Sequence, residues 1–181
     1  MTSMKPAIVV VTGASGSGKT AAVSALATRA LPGVRCYYFD SVGVPSPEEM
    51  KRDFGGGEQW QALMTQQWLD RLAADPDGAE VYVLDGQTRL TFVIRAAEQS
   101  GIDGVRIILL DCEPSVRHTR LIELRGQSEL VNPQMDCWAA YLRGQADALH
   151  LPVIDTTGEG IEAIADALVV HVERARADRQ A

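Results

Sequence analysis

The sequence predicts an α/β layered fold built on a parallel sheet, and three observations carry that expectation. Five short runs rich in β-branched and apolar residues recur along the 181-residue chain, at 7–12, 34–40, 80–86, 105–111 and 151–156. Three of them hold unbroken apolar stretches, AIVVV, VYVL and IILL, rather than alternation. That is how strands covered on both faces read. Each run is followed by a stretch of helical character, and such β-α alternation favours a sheet with helices packed on its faces. With 46% hydrophobic and 23% charged residues and no fixed-period repeat, residues 1–181 suffice for a single domain with a substantial core.

The elements follow in order. The run AIVVVT ends in a glycine-rich turn, and Val23, Leu26, Ala27, Ala30 and Leu31 then mark one face of a helix. The second run, VRCYYFD, is expected to end its strand at Asp40. Residues of about 41–77 form a long connection that opens SVGVPSPEE, passes Gly55-Gly56-Gly57 as a hinge or plain surface loop, and continues as a helix through EQWQALMTQQWLDRLAAD. This connection is expected to be an inserted acceptor-binding region. EVYVLDG and VRIILLD are the third and fourth strands. A helix starting after Pro133 returns the chain to LPVIDT, the fifth. Ile161, Ile164, Ala165, Leu168, Val169 and Val172 then form the stripe of a last helix. Thr156 and Glu159 offer a capping box at its start, and ERARADRQA is expected to fray at its end.

The chemistry sits first in the glycine-rich turn. Gly13, Ala14, Ser15, Gly16, Ser17, Gly18, Lys19 and Thr20 satisfy G-x-x-x-x-G-K-[ST] between a strand and a helix, the context that this phosphate-binding motif requires. Its glycines let successive N–H groups turn toward phosphate oxygens, and the helix N-terminus adds positive potential. Lys19 is expected to reach the β- and γ-phosphates and Thr20 to ligate Mg²⁺. Asp85, closing the third strand, is the acidic partner for that metal; an aspartate there also serves as a cap for the next helix. No N-K-x-D element selects guanine, and DTTG at 155–158 follows the wrong strand to sense a γ-phosphate.

In this order, GASGSGKT, LDGQTR and RIILLDCEPSVRHTRLIELRG resemble the P-loop small-molecule kinases of the adenylate kinase and shikimate kinase kind. The resemblance implies a P-loop NTPase three-layer α/β/α sandwich, a five-stranded parallel sheet of order 2-3-1-4-5, a short lid at about 117–136, and ATP with Mg²⁺. LDGQTR is similar to a D-G-x-x-R element, which makes Asp85 the magnesium-side acid and Arg89 an acceptor contact. Gln87-Thr88 depart from that family's aromatic-proline. Arg120 matches the arginine over the adenine ring and Arg125 the lid arginine that neutralises the transferring phosphate, roles suited to a planar guanidinium. The same segment also permits an exposed Glu113–Arg117 pair on an ordinary charged helix surface. YYFDS is similar to the F-x-D-S-D element of shikimate kinases at Asp40, a possible base, but its second Asp is Val42 here.

Other functions are disfavoured. The net charge of −7, without a basic stripe, argues against nucleic-acid partners. No run is long enough for a membrane span or a signal-peptide core. The 3 cysteines, Cys36, Cys112 and Cys137, are widely spaced, which suits a reducing cytoplasm and no zinc site. His118, His150 and His171 read as isolated, and Trp60, Trp68, Trp138 and Tyr141 as packing, with Trp60 a possible floor for an acceptor pocket. The expected function is transfer of the ATP γ-phosphate, by a monomer or homodimer, to a hydroxyl metabolite or drug-like alcohol. A nucleoside monophosphate is the alternative acceptor, and an ATP-binding regulator with little turnover is the alternative of another class.

Overall fold

In the computed structural model, which describes residues 5–180, the apolar runs pair into one parallel five-stranded sheet of order β2-β3-β1-β4-β5. The strands are β1 Ala7–Thr12, β2 Val34–Tyr38, β3 Val81–Asp85, β4 Arg106–Asp111 and β5 Val153–Asp155. The helices are α1 Lys19–Thr28, α2 Pro47–Phe54, α3 Gly57–Ala73, α4 Leu90–Gln99, α5 Pro114–Thr119, α6 Pro133–Ala148 and α7 Ile161–Gln180. Met1–Met4 and Ala181 lie outside the described residues.

Alternate side chains of each central strand enter opposite cores, as the twofold period of a strand requires. Ile8, Val10, Tyr82, Leu84, Ile107 and Leu109 pack with Leu69, Leu72, Leu90, Val93 and Leu142 from α3, α4 and α6. Val9, Val11, Val81, Val83, Ile108 and Leu110 pack with Val23, Leu26, Ile164, Leu168 and Val172 from α1 and α7. Two apolar layers therefore close on one sheet, giving the α/β/α sandwich. Among the described residues no helix is long and apolar enough to cross a membrane.

Several local expectations are corrected. The second strand stops at Tyr38, because Phe39 turns inward beneath Trp60 and starts a one-turn 3₁₀ helix, Phe39–Val42, that carries Asp40. The triple glycine is a tight corner: Gly55 caps α2 with φ 89°, and α3 begins at Gly57. The capping box forms not at Thr156 but at Ser46–Glu49, where both reciprocal bonds are present. The last helix starts only at Ile161, which is exposed, so Thr156 lies too far upstream to cap it. Nor does its end fray: α7 runs to Gln180, with Ala175 buried, Arg176 paired to Glu80 and Arg106 paired to Asp178.

Candidate active site

The sheet order reverses beside β1, so the loop after it opens at the carboxyl end of the central strand, where ligands of open α/β sheets bind. Thr12 ends β1 fully buried; its Oγ1 donates to Thr88 O at 3.0 Å and accepts from Thr88 N at 3.3 Å. That exchange ties the glycine-rich loop to the segment after β3. Gly13 has φ +153°, and a Cβ there would meet Leu110 O at 2.3 Å. Gly16 has φ +84°, and its Cβ would meet Arg117 Cγ at 2.8 Å. Side chains at either position would open the cradle.

Lys19 leads α1 and folds back over the loop, its Nζ donating to Ala14 O at 3.3 Å. It is buried, and burial pushes its pKa below the ordinary lysine value; Asp85 and Asp40 oppose that shift and Arg125 adds to it. The next residue, Thr20, donates from Oγ1 to Asp85 Oδ2 at 2.7 Å. Asp85 is also buried, and burial raises its carboxyl above the usual range, against the pull of Lys19 and the Thr20 bond. Its Oδ1 has no hydrogen-bond partner among the described residues, and neither does the buried Ser17 Oγ. A hydroxyl and a carboxylate side by side, with one carboxylate oxygen unmatched, fit a hard, oxygen-seeking divalent cation such as Mg²⁺ completed by phosphate and water. No cluster of three or more His, Cys, Asp or Glu side chains that could hold a metal occurs among the described residues.

Two cavities meet at the loop. The first, of about 330 Å³, is lined by Gly18, Lys19, Thr20, Arg120, Arg125 and Ile161, among others. Arg120 stands at the end of α5, where the helix widens into a π-turn over Arg120–Leu124. Its Nη1 donates to Thr156 Oγ1 at 2.9 Å and its Nη2 to Thr156 O at 2.6 Å, while Thr156 Oγ1 donates to Ser17 O at 2.8 Å. Arg120 thus spans the cavity wall between the loop and the end of β5. Arg125 is exposed on the same wall and electrostatically faces both Lys19 and Asp85.

The second cavity, of about 450 Å³, opens on the other side of Ser15 and contains Asp40, Trp60, Gln61, Arg89 and Trp138. Helix α3 supplies Trp60 and Gln61, anchored by Trp68 Nε1 donating to Phe39 O at 3.2 Å. Ser15 Oγ donates to Gln87 Oε1 at 3.0 Å, so Gln87 joins the loop to this cavity. Lys19, Asp40 and Asp85 therefore converge, with Arg125 from the lid side, while Arg89 stands apart in the second cavity and Arg120 in the first.

Arg117 departs from expectation. It is 2% exposed, packs under Gly16, and pairs with Asp136 at the start of α6 rather than with Glu113. Helix α5 runs across the loop, so its inward face is sealed there. Nor is His118 isolated: its Nε2 lies 2.9 Å from the same Asp136 oxygen. Gln61, Glu58 and Asp136 escaped the sequence reading, and Thr156 was read only as a helix cap. Thr156 left a usable sign, because it directly follows β5 at the same end of the sheet as Asp85.

No protein-family model matches the chain, and no curated protein matches it by sequence. Solved structures do. A sugar kinase from Janibacter sp. HTCC2649 is 20% identical with a TM-score of 0.62, covering 95% of this chain and 97% of that one. A gluconokinase from Sinorhizobium meliloti 1021 is 18% identical with a TM-score of 0.62, over 96% and 95% of the two chains. The shikimate kinase from Acinetobacter baumannii, in complex with shikimate, is 15% identical with a TM-score of 0.62, over 95% of each chain. The fold is that of the P-loop small-molecule kinases. The P-loop kinase fold accounts for the sheet order and for the loop between β1 and α1. At these identities it does not carry over any acceptor.

Proposed function

We propose that the chain is an ATP-dependent phosphotransferase that moves the γ-phosphate to a hydroxyl of a small molecule. One observation carries this reading: Asp40 lines the cavity beyond Ser15 and at the same time acts electrostatically on Lys19. A carboxylate there bridges an acceptor site and a phosphate site, and only a hydroxyl acceptor needs a proton removed.

In this reading the first cavity takes the nucleotide, with its phosphates on the loop N–H groups and Lys19. Mg²⁺, held by Thr20 and Asp85, supplies neutralisation of phosphate charge when bound. The acceptor lies against Trp60 and Trp138. Asp40 takes the proton of the acceptor hydroxyl as its oxygen forms a bond to the γ-phosphorus; the bond from that phosphorus to the bridging oxygen breaks, and ADP leaves with that electron pair. Lys19 and Arg125 stabilise the charge of the in-line transfer. The free cysteines suit a cytoplasmic setting, and a monomer or homodimer fits this reading. A screen of alcohols and polyols with ADP release as readout tests this. The proposal expects acceptor-stimulated ADP release that Lys19→Ala abolishes. A protein that binds ATP tightly but never responds to an acceptor is a regulator instead.

A further inference from the structure

The second cavity holds two carboxylates, Asp40 and Glu58, and one guanidinium, Arg89. The guanidinium is already committed. Arg89 Nη1 donates to Gln61 Oε1 at 2.9 Å, and Nη2 stands 3.4 Å from Glu58 Oε2. Its carbon lies 5.1 Å from the Trp138 ring centre, 5.3 Å from Phe92 and 5.9 Å from Tyr141. Gln61 is held in turn, since its Nε2 donates to Gln87 O at 3.2 Å. An arginine with its charge matched by Glu58 and its flat faces covered by rings is a wall of the cavity, not a phosphate receptor awaiting a ligand. The Asp40 side chain, by contrast, has no hydrogen-bond partner among the described residues, and its charge faces Lys19 at the junction with the P-loop rather than a cation inside the cavity.

We infer that this cavity takes an electrically neutral hydroxyl compound with a flat apolar face and refuses anionic acceptors, with Glu58 setting that preference through Arg89. The inference rests on the phosphotransferase reading and narrows it. Phe39, Trp60, Met50 and Val44 supply the apolar lining, and Gln87 Nε2, which has no partner among the described residues, supplies a neutral donor. A phosphorylated or carboxylated acceptor would instead bring its charge next to Asp40 and Glu58, with no unpaired cation among the described residues that line the cavity to receive it.

Thymidine 5′-monophosphate is a suitable probe, because it joins a flat ring to a dianion. Its binding to the full chain loaded with the non-hydrolysable analogue AMP-PNP and Mg²⁺ is followed by tryptophan fluorescence, since Trp60 and Trp138 line the cavity. Glu58→Gln is expected to tighten it at least tenfold, Glu58→Asp to leave it weak, and the gap between wild type and Glu58→Gln to shrink as KCl is raised, as a Coulombic effect must. A merely structural role for Glu58 would show no such salt dependence. Equal binding by wild type and Glu58→Gln, weak or strong, overturns the role of Glu58. An anionic compound turned over by wild type overturns the exclusion itself. AMP-PNP affinity, measured in the same samples, separates the two readings. Its absence in wild type sinks the phosphotransferase proposal, whereas its presence with a failed probe experiment sinks only this inference.

Discussion

Lys19 and Asp85 are both buried beside the loop, and burial disfavours the charge of each. The folded-state pKa of Asp85 is raised, so in the window between the ordinary carboxylate value and the raised one the native state binds more protons than the unfolded chain. Stability therefore falls as pH rises through that window and stays lowered above it. Asp85→Asn is accordingly expected to raise the melting temperature of the ligand-free protein at neutral pH while weakening Mg²⁺-dependent nucleotide binding; calorimetry with and without Mg²⁺ checks both. Asp40→Asn behaves differently, because Asp40 is exposed and its side chain has no hydrogen-bond partner among the described residues. It should leave ATP affinity intact and cut acceptor phosphorylation by about 10²–10⁴-fold, the scale of general-base loss. Background hydrolysis of ATP should fall far less, since water needs no acceptor cavity. Parallel loss of both activities in steady-state assays would assign Asp40 to the metal site.

At the scale of elements, α5 acts as a clamp on the glycine-rich loop. Its buried Arg117 lies over Gly16 and is held from the far side by Asp136 of α6. Arg117→Ala removes a packed side chain and leaves Asp136 to His118 alone. The expected cost is about 3 kcal/mol, within the range for emptying a packed core site. In a chain of this length that lowers the melting temperature by roughly 6–12 °C in a thermal scan. Gly16→Ala attacks the same contact from below. Its Cβ would stand 3.0 Å from Arg117 O, a backbone atom that cannot rotate away, so nucleotide binding should be lost even where the variant folds. Retained AMP-PNP affinity in Gly16→Ala would show that the clamp yields.

Across the whole molecule, two cavities open on opposite sides of the loop, and under the proposed function the one carrying Arg125, on the segment after α5, takes the nucleotide. Arg125 is exposed in this structure, yet its charge reaches Lys19 and Asp85. Under the proposed function a residue so placed engages phosphate charge mainly in the reacting complex. Arg125→Ala should therefore lower kcat much more than it changes ATP affinity, as expected for a contact strengthened in the transition state. Steady-state kinetics beside equilibrium titration checks this. A rise in KM for ATP at unchanged kcat would make Arg125 a ground-state contact.

The five strands, the glycine-rich loop and the pairing of Lys19 with Thr20 were legible because each depends on neighbours within a few residues: apolar runs, glycine spacing, a helix that follows a strand. The amino-acid sequence alone thus determined the α/β class, the glycine-rich loop between β1 and α1, and the Asp85 that closes β3 beside it. Its errors lay where two local patterns were equally good. Thr156–Glu159 read as a capping box, but the capping box of the structure is Ser46–Glu49, where a helix starts in register. Arg117 could pair with Glu113 on one helix face, but packing of α5 on the loop turned that face inward toward Asp136. The acceptor cavity was the least legible part, since Asp40, Glu58, Gln61, Arg89 and Trp138 come from four separate segments. No local period relates them. Their meeting was decided by the order in which parallel strands stack and by the helices that cover one face, a choice made by long-range burial of apolar surface and visible only in the tertiary structure.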